Sequence, residues 1–292
     1  MSYKEGLVPR RSERIFAIER WFLNKLSVDY ELVNNEHIEE VRNLLQQGKR
    51  VNALLDHRSL ADLASGAAIA FKEKFGDLIS DAVFMVALKY LDRHHTNLLL
   101  MGVNTIPMVS PGMDNDPRQT RVNRAGLKAV KNLKDGTLFI VPPEGTRSKS
   151  GKMEKGRREI TTFFQKDHYI LPIAFEGTEE QWPQGIQGGI KYWVGNGRNK
   201  KAKVIFGKPF AVEKMDQLVN HLAPDHRKLD RKQLSVDMTM RAIAILHLTQ
   251  GNKKYVEGSY YEKFMRDLAD KSWLFLKPEE LIKSSSSQKQ GI

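Results

Sequence analysis

The chain contains no cysteine, which excludes disulfides, a thiolate nucleophile and any cysteine-ligated metal. It lacks any apolar run approaching the 18 or more residues that span a bilayer. Its longer apolar stretches, such as residues 82–91, are short, and that one carries Lys89. No continuous apolar core followed by a cleavage site opens the chain, so no secretory signal is expected. A Gly-x-Ser-x-Gly nucleophile elbow is missing too. A P-loop is excluded because five residues, not four, separate Gly145 from Gly151-Lys152, and Met153 stands where Ser or Thr is required. A protein kept in the cytosol is expected.

What is present suits a globular chain. Of 292 residues, 40% are hydrophobic and 9% aromatic, enough to build a core. The formal net charge is +12, which fits an anionic membrane, an anionic substrate or nucleic acid. The charge is concentrated. Arg147, Lys149, Lys152, Lys155, Arg157 and Arg158 face one acid, Glu154, within residues 147–158.

Hydrophobic patterning predicts alternating strands and helices. Strands are expected at 51–55, at 98–101 with 105–109 as one interrupted strand, and at 137–141, 169–175 and 202–206. Helices are expected at 12–26, 60–74, 78–93, 116–134 and 155–165. This alternation predicts an α/β class: a layered mixed sheet flanked by helices, with a mostly helical C-terminal part. The expected organisation is an N-terminal helical segment over 1–48, an α/β core over 49–211, helices over 212–277 and a flexible tail over 278–292. In the first helix Ile18, Trp21 and Phe22 alternate with Arg14, Arg20 and Lys25. That basic amphipathic pattern suits an anionic membrane surface as well as ordinary packing.

Two motifs carry chemistry, each expected just past a strand's C-terminal end, where ligands gather in open α/β sheets. The first places Asp62 five residues after His57. Histidine is a general base near neutral pH, and a carboxylate that fixes its tautomer improves it. On a continuous helix the two side chains diverge by about 140°. They meet only if the chain turns between them, as a strand-turn-helix does. The second motif is Glu144-Gly145-Thr146-Arg147-Ser148. Arg147 offers a fork suited to phosphate oxygens, and Gly145 allows close backbone approach, with the amides of Thr146 and Ser148 beside it. Glu144 can receive a hydroxyl or orient Arg147.

Together and in this order, the motifs resemble those of the glycerolipid acyltransferase family, the glycerol-3-phosphate and 1-acylglycerol-3-phosphate acyltransferases. The likeness covers roughly residues 50–210. It implies His57 as catalytic base, Asp62 as its partner, and residues 144–148 as the acceptor-phosphate site. Leu171-Pro172-Ile173 resembles a further family block, which implies Pro172 at the site. The family's glycine-aromatic-arginine block has no clear counterpart around residues 101–107, so Arg118, Arg121 or Arg124 is expected to substitute, with Arg121 assigned to the site. The implied reaction is direct transfer from acyl-CoA or acyl carrier protein to lysophosphatidate or glycerol-3-phosphate, without metal or nucleotide cofactor. The implied location is the inner face of a membrane, held peripherally. A glycolipid acceptor is the alternative; nucleic-acid binding is suggested by charge alone and is not expected.

Other candidates are weaker. Asp114-Asn115-Asp116 reads as a helix cap, His94 and His95 as helix-end residues, Gly195-Asn196-Gly197 as a turn, and Trp182, Tyr192 and Trp193 as core.

Overall fold

A computed structural model describes residues 13–25, 28–59, 61–73, 75–88, 103–109, 118–148, 150–183, 190–222 and 228–267. In chain order the elements are α1 (Glu13–Lys25), β1 (Tyr30–Val33), α2 (His37–Gln46), β2 (Val51–Leu55), α3 (Ala61–Lys72), α4 (Gly76–Asp81), β3 (Val83–Ala87) and β4 (Asn104–Met108). There follow α5 (Gln119–Lys131), β5 (Leu138–Val141), a 3-10 helix (Arg158–Phe163), β6 (Tyr169–Glu176), α6 (Thr178–Gln181), α7 (Ile190–Gly195) and β7 (Ala202–Phe206). After a short 3-10 turn (Gly197–Asn199) and β7 come β8 (Phe210–Ala211), α8 (Val212–Leu222), α9 (Lys228–Gln250), α10 (Lys253–Val256) and α11 (Tyr260–Asp267).

The strands form one mixed sheet in the order β1-β7-β6-β2-β5-β3-β4, with β8 also paired to β6. The central strands are parallel: β2 pairs with both β5 and β6, and β3 with both β4 and β5. Strand β7 runs antiparallel to β6. The expected α/β class is therefore the observed one.

Alternation along the strands divides the core into two layers, because successive side chains point to opposite faces. Val51, Ala53, Leu138, Ile140, Leu171, Ile173 and Phe175 pack with Ile38, Val41 and Ile69 from α2 and α3. Leu54, Phe139, Val141, Ile170 and Ala174 pack on the other face, against Ile243, Leu246 and Met215 from α8 and α9. Helix α9 is buried on every side from Ser235 to His247, as a helix running through a core must be.

Several boundaries differ from expectation. The helix predicted over 78–93 is instead α4 followed by β3; Ala82 turns extended at ψ 151°, and the run Val83–Ala87 is a buried strand. Short buried apolar runs carry no period that separates strand from helix. The helix predicted over 155–165 is a 3-10 helix of six residues. The segment 1–48 contributes a strand, β1, so the sheet starts before residue 49. The expectations for residues 98–101, 94–95, 114–117 and 278–292 fall outside the described residues.

Candidate active site

Parallel pairing of β2 and β5 explains why two motifs far apart in sequence meet. The register aligns Leu54 with Val141. Both strands therefore end at the same sheet edge, and the chain leaves one into His57 and the other into Pro142–Ser148. The backbone amide of Ser148 donates to the carbonyl of His57 at 2.9 Å, joining the two loops directly.

The turn predicted between His57 and Asp62 is present. Strand β2 stops at Leu55, α3 begins at Ala61, and Asp62 lies in its first turn. Asp62 Oδ2 lies 2.9 Å from His57 Nδ1 and also accepts from the amides of Arg58 and Ser59, each at 2.9 Å. An ionised carboxylate only accepts, so the shared proton sits on Nδ1 and leaves Nε2 free as a base. Asp62 is buried at 4% side-chain exposure while His57 is 21% exposed. The acid is shielded and the histidine remains reachable.

The second loop is shaped around Gly145. Its φ of 72° is left-handed, and a Cβ there would meet Arg157 Cδ at 2.7 Å. Arg157 Nε donates to the Glu144 carbonyl at 3.1 Å, so this arginine lies across the glycine and braces the turn. Ser148 Oγ donates to the Lys152 carbonyl. Thr146 and Arg147 are partly exposed. Among the described residues Arg147 has no hydrogen-bonded or ion-paired partner, which leaves its guanidinium available to an anion.

Glu144 differs from expectation in what it faces. Its carboxylate is buried and Oε1 receives the Tyr255 hydroxyl at 3.1 Å. It does receive a hydroxyl, but that of a C-terminal tyrosine. Burial, and then the Asp56 carboxylate, pushes the Glu144 carboxyl well above its ordinary range, against the stabilising Tyr255 bond. Burial and the charge of Glu144 likewise raise Tyr255.

Two sequence-assigned residues lie away from this cluster. Pro172 is buried inside β6, level with Leu54 and so three residues, about 10 Å, back along the chain from His57. Its Cγ would lie 2.5 Å from a Cβ at Gly207, and the Gly207 amide donates to its carbonyl. Proline is tolerated there because β6 faces a break between β7 and β8, where the ladder needs no N–H. Arg121 is exposed in the first turn of α5, which packs on β4. Three strand spacings, about 14 Å, separate β4 from β2. The structure thus joins His57, Asp62 and residues 144–148, and leaves Pro172 and Arg121 apart.

Sequence reasoning missed Asp56, Arg58, His247 and Tyr255. Asp56 accepts from the Phe175 amide at 2.7 Å and pairs with His247 Nε2 at 3.2 Å, both side chains fully buried. Arg58 donates to the Phe175 carbonyl at 3.0 Å, pairs with Glu179, and stacks 4.6 Å over the Tyr255 ring. Charged residues on both sides of His57 at the end of an apolar strand, Asp56 and Arg58, are one available signal. Nothing local marks His247 or Tyr255. Trp182 and Trp193 are core residues, the latter donating to Ser65 Oγ.

Among the described residues no helix is long and apolar enough to cross a membrane. In comparisons with known proteins, no family model and no characterised protein matches the chain.

Proposed function

We propose that this chain is an O-acyltransferase that moves a fatty acyl group from a thioester to a hydroxyl of a glycerophosphate-type acceptor. The observation that carries the reading is the partly exposed His57, held by buried Asp62, with the Arg147 turn bonded to its own carbonyl. In this mechanism His57 Nε2 takes the proton of the acceptor hydroxyl as that oxygen attacks the thioester carbonyl. Asp62 stabilises the imidazolium. The tetrahedral adduct collapses, the C–S bond breaks, and His57 returns the proton to the leaving thiolate. Arg147 and the amides of its turn hold the acceptor phosphate. The donor is acyl-CoA or acyl carrier protein, and the protein works peripherally on an anionic membrane surface.

A second reading is transfer to a glycolipid hydroxyl. It is favoured by the place of Arg121 on α5, packed on the edge strand β4, while the arginine beside the turn, Arg157, already donates to the Glu144 carbonyl. One experiment tests both: thiol release from palmitoyl-CoA with lysophosphatidate, glycerol-3-phosphate or a glycolipid, for wild type, His57→Ala and Arg147→Ala. The proposal expects release that depends on a phosphate acceptor and is abolished by His57→Ala. Arg147→Ala should raise the acceptor KM about tenfold or more, the worth of a charged hydrogen bond, with the donor KM unchanged. Release supported only by the glycolipid favours the second reading. Release that survives His57→Ala rejects both.

A further inference from the structure

The C-terminal helices lie outside the two motifs, yet they hold both of them. Asp56 and His57 are neighbours on opposite faces of the sheet edge. On one face α3 takes His57 through Asp62. On the other, α9 takes Asp56 through His247, whose Nε2 is 3.2 Å from Asp56 Oδ2. Tyr255 lies at the centre of this second face, 1% exposed. Its hydroxyl donates to Glu144, its ring stacks under Arg58, and the His247 ring lies 4.9 Å from it. Its carbonyl accepts from the Met153 amide at 2.9 Å. One tyrosine therefore touches the residue after His57, the first residue of the acceptor turn and the basic segment beyond it.

We infer that Tyr255 and His247 are positioning residues of the active site, through which the C-terminal helices set the acceptor turn against His57. The inference rests on the acyltransferase reading for its kinetic consequence, though the structural tie does not. Removing the Tyr255 hydroxyl would leave the buried Glu144 carboxyl with the Glu154 backbone as its remaining hydrogen-bond partner and so loosen the 142–148 turn. The turn's own markers are the amides of Gly145, bonded to the Pro142 carbonyl, and Ser148, bonded to the His57 carbonyl. His247 acts one step back: without its donor, the Asp56 carboxylate is buried with the Phe175 amide as its remaining hydrogen-bond donor.

The test uses the full chain with Tyr255→Phe, which deletes only the hydroxyl, and with His247→Gln and His247→Leu. Hydrogen exchange is read on peptides covering residues 142–158, and kinetics with palmitoyl-CoA and the acceptor that wild type uses. Tyr255→Phe should speed exchange in 142–158 about fivefold or more and raise the acceptor KM about five- to tenfold, as loss of one buried hydrogen bond implies. Its kcat and donor KM should change less than about twofold, a split that general destabilisation does not give. His247→Gln, which keeps a donor for Asp56, should retain more kcat than His247→Leu. A folded Tyr255→Phe with unchanged exchange and unchanged acceptor KM overturns the inference, whether or not His247→Leu folds. Faster exchange in a chain whose wild type transfers no acyl group would keep the tie and reject the transferase reading.

Discussion

The amide of Ser148 donates to the carbonyl of His57, and this one bond fixes the distance between the candidate base and the candidate anion site. Asp62 fixes the base from the other side. Its Oδ2 serves three donors, two of them backbone amides that close the turn into α3. In the proposed mechanism Asp62 thus does structural and chemical work with the same atom, and a substitution can separate the two. In Asp62→Asn an amide oxygen can still accept from Arg58 and Ser59, so the turn should persist. The variant lacks the charge that holds the His57 proton on Nδ1. It is expected to melt close to wild type while acceptor-dependent kcat falls about 10²- to 10⁴-fold. Near wild-type turnover in a normally folded Asp62→Asn would remove Asp62 from the mechanism.

Gly145 sets the conformation of the turn proposed to hold the acceptor. Alanine there costs about 1–2 kcal/mol for a left-handed φ alone. Its Cβ would also press on Arg157, which lies across the turn and bonds the Glu144 carbonyl. Gly145→Ala should lower stability by about 1–3 kcal/mol in urea unfolding and weaken acceptor binding more than donor binding. Replacing Arg157 as well, in Gly145→Ala/Arg157→Ala, should recover part of the loss, because the clash is with that side chain. A double variant no more stable than the sum of the singles would contradict this account of the turn.

Much of this arrangement was legible in the sequence. The strand-turn-helix around His57 followed from residue types and from the geometric need to turn before Asp62. Strands β2, β5, β6 and β7 were readable because their apolar runs are bounded by turns. What could not be read was pairing. Nothing local says that β2 lies beside β5, so the Ser148–His57 bond is a product of topology. The same holds for Tyr255 and His247, which reach Glu144 and Asp56 across 111 and 191 residues of sequence. Strand β3 reads as helix in the sequence because Ala82–Leu88 is apolar on both faces and so shows no period. The resemblance implies Pro172 at the site; no local signal shows that it sits in β6 beside Leu54, opposite a break in the ladder.

Glu144 predicts a dependence of stability on pH. In the unfolded chain its carboxyl ionises near the ordinary 4.5, and in the fold burial holds it well above that. The folded protein therefore keeps a proton that the unfolded chain releases. The stability linked to that proton is full below about pH 4.5 and is lost as pH rises through the folded value. Glu144→Gln accepts from Tyr255 with no proton to lose. Wild type should therefore fall in stability relative to Glu144→Gln as pH rises above about 4.5, seen as diverging urea midpoints. Midpoints that run parallel over this range would show that Glu144 ionises alike in both states.

The proposed docking on a membrane would run through helix α1. It packs against α3, yet Ile18 and Trp21 are 65% and 64% exposed, with Phe22 beside them. Spacings of three and four place these three on one face of the helix, and Arg14, Arg20 and Lys25 are exposed on the same helix. Large apolar side chains flanked by cations suit the boundary of an anionic bilayer, where each buried ring or branched chain contributes about 1.5–3 kcal/mol. Trp21→Glu should therefore reduce flotation with phosphatidylglycerol vesicles about tenfold or more, and Ile18→Glu/Trp21→Glu should abolish it. Because these side chains point away from the fold, both variants should melt like wild type. Raised salt should weaken wild-type binding by screening the cations. Flotation of the double variant equal to wild type would mean that this face is not what binds lipid.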